Sequence, residues 1–383
     1  MSFDESAERL LLRQSVAKVC GDFGDPYFRQ KIAADERTHE LWQALGEAGF
    51  IGVNLPTEHG GGGGGIGDLA IVCEETAAAG CPLLLLLVSS AICGEILKNH
   101  GTVEQQKRWL PAMADGSDKM VFAITEASAG SNTHKIATRA TRDGDDWIIS
   151  GSKVYISGVD EATALLVVAR TGEDQRGHAE LTLFVVDTDD PALRREVIPV
   201  EVKTPEKQFE LTFDRLRISD DRRVGGVGEG MGFLFLGLNP ERITGAAIEN
   251  GIARYALGRA STYANERSVW GTPIGSHQGL SHPLAAAAID VELARLMTTK
   301  AAWLHDTGRA AGESANMAKY AAAEAALKAL DAAIQTHGGN GFASEFGLAH
   351  LWGLTRLLRI APVSREMILN YVASHTLGLP RSY

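Results

Sequence analysis

The sequence has no paired cysteines. Its four, Cys20, Cys73, Cys81 and Cys93, show neither a CxxC nor a zinc-type spacing, so they read as buried thiols in a reducing compartment. HExxH and EF-hand spacings are also missing, and no metal is expected. Positive charge is in deficit: 37 Lys and Arg face 48 Asp and Glu, a formal net charge of −11. Such a chain has no basic stripe to displace counterions from nucleic acid, and it has little attraction for an anionic membrane surface. No apolar run is long enough to span a bilayer; the longest, Pro82 to Val88, suits the start of a buried helix. Met1-Ser2-Phe3-Asp4-Glu5 offers neither a basic nor an apolar leader region, so no secretory signal is expected and the cytoplasm is the expected location. No GxSxG elbow points to a serine hydrolase, and no internal repeat is found.

What is present is 383 residues, 45% hydrophobic and 22% charged, enough for two or three domains with a large core. Residues 1–120 carry helical periodicity, with Thr102 and Gln105 spaced as a capping box. The run Gly60–Gly65 reads as a flexible connector. It lacks the Lys-Ser/Thr of a phosphate loop, and glycine has the most backbone entropy to lose. Residues 121–236 alternate in the manner of many short strands separated by turns, which predicts a small antiparallel barrel or sandwich. Gly226-x-Gly228 near its end lacks the third glycine and the preceding parallel unit of a dinucleotide fold. Residues 237–383 are helical again. Asn239-Pro240 predicts a helix start, and Gly338-Gly339 a helix stop. The expected architecture is therefore α+β: an N-terminal helical domain, a middle β-barrel domain and a C-terminal four-helix bundle.

One stretch stands out. Phe122-Ala123-Ile124-Thr125-Glu126-Ala127-Ser128-Ala129-Gly130-Ser131-Asn132 is an apolar strand that breaks into a hydroxyl-bearing turn. Tyr155-Ile156-Ser157 ends a second strand run in a similar way. Together they can offer several hydrogen-bond donors to one flat polar ligand, although a hairpin of any β domain would look alike.

The order of motifs resembles the acyl-CoA dehydrogenase family. Leu45-Gly46-Glu47-Ala48-Gly49-Phe50-Ile51-Gly52, with Pro56-Thr57-Glu58-His59-Gly60-Gly61, resembles its N-terminal signature. Phe122–Asn132 resembles the T-E-P-x-A-G-S-D signature, with Ala127 for proline and Asn132 for aspartate. Glu241-Arg242, Arg267-x-x-Trp270-Gly271-x-Pro273-Ile274, His277-Gln278 and Gln335-x-x-Gly338-Gly339-Asn340-Gly341 resemble its C-terminal motifs. The resemblance implies FAD, an acyl-CoA substrate undergoing α,β-dehydrogenation, and an electron-transfer flavoprotein as acceptor. It also implies a homotetramer built as a dimer of dimers, or a heterotetramer with a paralogue.

By position, Phe122, Ile124 and Thr125 match the strand against the flavin ring. Ser131 matches a diphosphate- or substrate-side hydroxyl. Tyr155 and Ser157 match the family's Trp-x-Thr/Ser over the ring and ribityl chain. Arg267, Trp270 and Gln278, with Gln335, Gly338 and Gly339, match contacts to the neighbouring subunit's FAD. Arginine suits a diphosphate because its fork binds two oxygens and keeps its charge.

The pattern breaks at the base. Most of the family carries a glutamate in an E-G-T turn beyond the G-G-N-G signature. Counted without a gap, Pro362-Val363-Ser364 occupies that turn, and Ser364 joins the cofactor-side positions. Proline also lacks the N–H that the family's residue offers the thioester carbonyl, and an oxyanion donor is worth roughly 2.7–4 kcal/mol. Glu366 lies a helical turn away. Isovaleryl- and long-chain-type members resemble this chain in placing the base before an arginine of the third domain. Glu241, before Arg242, matches that place and is the expected base, with Arg242 as a structural or CoA-side partner. A half-site subunit and an oxygen-using flavoenzyme of the same superfamily are the alternatives.

Overall fold

The computed structural model describes residues 5–175 and 177–381; Met1–Asp4, the start of the N-terminal stretch read above, lie outside the described residues. Five helices come first: α1 (Ala7–Gly21), α2 (Gly24–Ala34), α3 (His39–Glu47), α4 (Ile66–Ala78) and, after a π-helical segment (Leu86–Gly94), α5 (Glu95–His100). The expected capping box opens α6 (Val103–Asp115): Thr102 Oγ1 accepts from the Gln105 N–H (3.2 Å), and Gln105 Oε1 accepts from the Thr102 N–H (3.0 Å). The same Gln105 side chain donates to the Asp221 and Arg223 carbonyls, tying α6 to the sheet that follows.

The sheet contains β1 (Met120–Ala123), β2 (Arg139–Asp143), β3 (Asp146–Ser157), β4 (Ala164–Glu173), β5 (Ala179–Asp187), β6 (Leu193–Val197), β7 (Gln208–Ser219) and β8 (Arg223–Val224). Its ladder runs β6-β7-β3-β2-β4-β5-β8, with β1 paired to β4. Most pairings are antiparallel, as the short alternating runs predict. β1 and β2 meet β4 in parallel instead. The stretches 146–150 and 153–157, interrupted by Gly151-Ser152, form the single strand β3. Two register shifts along its pairing with β7 absorb the interruption.

The remaining helices are α7 (Gly230–Glu266), α8 (Gln278–Asp306), α9 (Gly312–His337), α10 (His350–Leu358) and α11 (Arg365–Tyr371). α7 does not begin at Asn239-Pro240. It starts nine residues earlier than Asn239, at Gly230, and Pro240 lies inside it. Proline costs one backbone hydrogen bond there, and the Thr244 hydroxyl donates to the Pro240 carbonyl (2.8 Å). Alanine recurs on α9 where it packs against α7 and α8, so those helices approach closely. Among the described residues, no helix is long and apolar enough to cross a membrane.

The glycine run is no loose connector. Gly62 N–H donates to the Gly52 carbonyl (3.0 Å), Gly63 N–H to Leu55 (2.8 Å) and Gly64 N–H to Val53 (2.8 Å). A Cβ on Gly61 would stand 2.3 Å from the Leu55 oxygen, and one on Gly65 would stand 2.4 Å from the Asp306 carboxyl carbon. Glycine is needed because the loop is packed backbone to backbone. Asp306, at the end of α8, accepts the Ile66 and Gly67 N–H groups that open α4. Glu74 and Glu75 of α4 also bind Arg254 of α7 (2.8 and 2.6 Å), and Glu74 binds Arg295 of α8 (2.7 Å). These ties hold the N-terminal helices on the bundle and leave the end of β1 facing the bulged part of β3.

Candidate active site

The first cluster is built where β1 ends. The Val154 N–H of β3 donates to the Thr125 carbonyl (2.9 Å), so the strand after β1 lies against the β3 bulge. Below it sits an ion pair buried on both sides, Lys153 Nζ to Glu126 Oε1 at 2.8 Å. Lys153 also donates to the Ile124 carbonyl (2.9 Å), and Glu126 accepts the Ala137 and Thr138 N–H groups (2.7 and 2.9 Å). Burial opposes the Glu126 charge, but the ammonium and these donors outweigh it and hold its carboxyl below the ordinary value. Burial brings the Lys153 ammonium down to about 8, against the opposing pull of Glu126. Three segments, 124–126, 137–138 and β3, are thereby fixed to one another.

On this base stand the residues read from the sequence. Phe122 is buried, and Ile124 and Thr125 are partly buried. Tyr155 adopts a left-handed φ of 57° at the bulge and is 62% exposed. That conformation costs a non-glycine residue on the order of 1 kcal/mol, and it turns an aromatic face outward beside Thr125. The Ser157 hydroxyl donates to Gln208 Oε1 (3.0 Å). Ser131 is exposed on the turn. An apolar face edged by hydroxyls and a free phenol suits a flat heteroaromatic ring with polar edges.

The second cluster lies at the α7–α8 turn and the end of α9. Arg267, Trp270, Gln278, Gln335, Gly338 and Gly339 are all exposed. Tyr263 stacks on His337 with centroids 4.2 Å apart, and the Asn340 amide donates to the Tyr263 hydroxyl (3.0 Å), so the two helix ends are joined. Gly338 takes a φ of 58° and, like Gly339, has open space where a Cβ would be. An exposed guanidinium with bare backbone nearby fits a diphosphate. Among the described residues, no hydrogen bond, ion pair or ring contact links this cluster to the strand wall.

Glu241 lies in the first third of α7 and is partly buried. Its carboxylate has no hydrogen bond or ion pair among the described residues. Burial raises it from 4.5 to about 7, while Arg242 and Lys319 pull the other way. Arg242 Nη1 donates to Asn239 Oδ1 (2.9 Å), and burial lowers its own pKa. Glu366 is exposed over 72% of its side chain and sits beside Arg365. The Ser364 hydroxyl is spent as the cap of α11, accepting the Met367 N–H (3.3 Å). The ordinary family turn at Pro362-Val363 carries no carboxylate.

Sequence reasoning missed the Lys153–Glu126 pair and a second buried pair, Lys319–Glu249 at 3.4 Å. A lysine directly before the apolar run Val154-Tyr155-Ile156 was the available signal for the first. The second had none, because its partners lie 70 residues apart on separate helices.

Comparison with known proteins closes the question of family. The N-terminal, middle and C-terminal domain models of acyl-CoA dehydrogenase match residues 6–117, 121–215 and 228–377. Acyl-CoA dehydrogenase FadE12 of Mycobacterium tuberculosis is 55% identical over 384 residues, spanning 100% of this chain and 99% of that protein. The pig mitochondrial long-chain specific acyl-CoA dehydrogenase is 29% identical over 371 residues, spanning 96% and 86%. The structure of a glutaryl-coenzyme A dehydrogenase in its glutaryl-CoA complex superposes with a TM-score of 0.94 at 28% identity, covering 100% of this chain and 98% of that one. With the motifs in order and the fold shared from end to end, the chain belongs to the acyl-CoA dehydrogenase family and is an FAD-dependent oxidoreductase.

Proposed function

We propose that the protein converts an acyl-CoA thioester to the trans-2-enoyl-CoA with Glu241 as the base. The observation that carries this reading is the partly buried, unpaired Glu241 carboxyl, poised at about 7. A base of that pKa is half ionised near neutral pH and still holds a proton well. Glu241 takes the α-proton onto its carboxylate; the chemistry that FAD would supply when bound is acceptance of the β-hydride. The strand wall of Phe122, Ile124, Thr125, Tyr155 and Ser157 orients the ring. Arg267, Trp270, Gln278, Gln335, Gly338 and Gly339 hold the cofactor from a second copy in a homotetramer, and Ser131 stands on the ligand side. Arg242 fixes the start of the site through Asn239. An electron-transfer flavoprotein reoxidises the enzyme. The relocated base occurs in the family with branched or long acyl chains, and that substrate class is favoured here.

The test is anaerobic mixing of the FAD-loaded protein with a panel of acyl-CoAs while flavin absorbance is followed. The Glu241→Gln protein, still yellow, is expected to lose bleaching by a hundredfold or more, on the order of a general base's share. Bleaching at the wild-type rate removes the assignment.

A further inference from the structure

The connection from β6 to β7, residues 198–207, ties three parts of the molecule together. Its last residue, Lys207, accepts the Gly158 N–H on its carbonyl (2.9 Å) and pairs through Nζ with Asp35, just past α2 (2.6 Å). Val202 meets α10, where a Cβ on Gly353 would stand 3.2 Å from the Val202 Cγ2. Gln208, the first residue of β7, accepts the Ser157 hydroxyl of the strand wall (3.0 Å). Glu206 anchors the connection from inside. It is 4% exposed, and its Oε1 accepts the Leu84 N–H (3.0 Å) shortly before the π-helical segment. Its other oxygen, Oε2, is buried and has no hydrogen-bond partner among the described residues. Leu85 then covers Gly158, where a Cβ would stand 2.7 Å from Leu85 Cδ2. A buried carboxyl with one donor and one bare oxygen suits the neutral acid, because a full charge there would lack the donors that offset its desolvation.

We propose that Glu206 is a positioning residue for the cofactor wall: its buried carboxyl clamps the β6–β7 connection to Leu84, and through Gln208 and Gly158 the clamp holds Ser157 in place. This rests on Ser157 standing on the cofactor side. The charged groups around the clamp are engaged elsewhere. Lys119, before β1, is held by Glu161 of the turn Val159–Glu161 (2.7 Å), and its ammonium lies over the Trp42 ring of α3 (4.6 Å). Lys203 donates to the Val200 carbonyl (2.9 Å), and Lys207 is bound to Asp35. Arg37 pairs with Asp160, and His350 of α10 stands 3.3 Å from Asp25. Leu84 and Leu85 add no charge. Burial, joined by the Glu161 charge, raises Glu206 from 4.5 to about 7, against the opposing pull of backbone N–H groups and Lys119. The clamp is firm while the carboxyl is neutral. Once freed, the carboxyl returns to its ordinary value. Opening therefore becomes easier as pH rises from about 4.5, and the gain levels off above about 7.

The experiment is amide hydrogen exchange at Leu84 from pH 5 to pH 8 in FAD-free protein. Each rate is divided by that of an unprotected amide at the same pH, so that it reports the opening constant. In the wild type this constant is expected to rise roughly fiftyfold over the range and to flatten above pH 7. Glu206→Gln keeps the acceptor for Leu84 and reproduces the neutral acid, so its constant is expected to stay level. Parallel profiles in the two proteins overturn the clamp. The tie to the wall is read from FAD release after dilution, followed by flavin fluorescence. The ratio of wild-type to Glu206→Gln release rates is expected to grow tenfold or more between pH 5 and pH 8, in step with Leu84. A ratio that does not change with pH overturns that tie. A different result, release from Ser157→Ala at the wild-type rate at pH 5, overturns the cofactor-side reading of Ser157 instead.

Discussion

Replacing Glu241 by glutamine should stabilise the fold, and only above a definite pH. The carboxyl rises from 4.5 to about 7 on folding. Its contribution to stability is fully present below the unfolded value and is lost as pH rises through the folded one. Over a rise of that size, at 1.36 kcal/mol per unit, the wild type gives up roughly 3 kcal/mol by pH 8. Glutamine cannot ionise and does not pay this cost. The attraction of Arg242 and Lys319 for the Glu241 charge is already contained in that shift, and burial outweighs it. For a chain of this length the effect corresponds to roughly 4 °C in Tm. The assay is thermal unfolding of FAD-free wild type and Glu241→Gln at matched ionic strength from pH 5 to pH 8. The variant's advantage should be small at pH 5, grow through pH 7 and then level. A Tm difference that is flat across this range, or that grows toward acid, refutes the buried, raised carboxyl.

Two other substitutions separate the scaffold from the ligand surface. Lys153→Met strands the buried Glu126 carboxylate and should cost about 3–5 kcal/mol in denaturant unfolding, while Lys153→Met with Glu126→Gln, which keeps an acceptor for the Ala137 and Thr138 N–H groups, should recover part of it. Recovery absent in the double variant would show that the pair is not coupled. Arg267→Ala removes an exposed guanidinium with no side-chain partner among the described contacts, so Tm should shift by less than about 0.5 kcal/mol equivalent. FAD retained through gel filtration should nevertheless fall, and unchanged retention would remove Arg267 from the cofactor site.

The family signatures were legible because they are local. Phe122–Asn132 and Gln335–Gly341 each lie in one continuous stretch, so their order on the chain is enough to identify them. The capping box at Thr102 and Gln105 was legible for the same reason, since both hydrogen bonds close over three residues. Two readings failed where context outweighed local preference. Gly60–Gly65 reads as loose chain from its entropy alone, yet the Val53 and Leu55 backbones it packs against make glycine the residue that fits. Asn239-Pro240 reads as a helix start, yet packing of the residues before it carries α7 back to Gly230.

The sequence by itself determined the family, the α+β order of the segments and the absence of a carboxylate at Pro362, because these depend on residue identity in fixed order. Only the tertiary structure decided the electrostatics. Whether the Glu241 carboxyl stays at its ordinary value or rises to about 7 depends on how much solvent reaches it, on Arg242 beside it and on Lys319, 78 positions away in the numbering. Burial and distance fix both, and neither is written in the neighbouring residues. The same holds for Tyr155. Its place in the motif was readable, but the left-handed turn that presents its ring arises from a register shift against β7, a pairing made with residues more than fifty positions downstream.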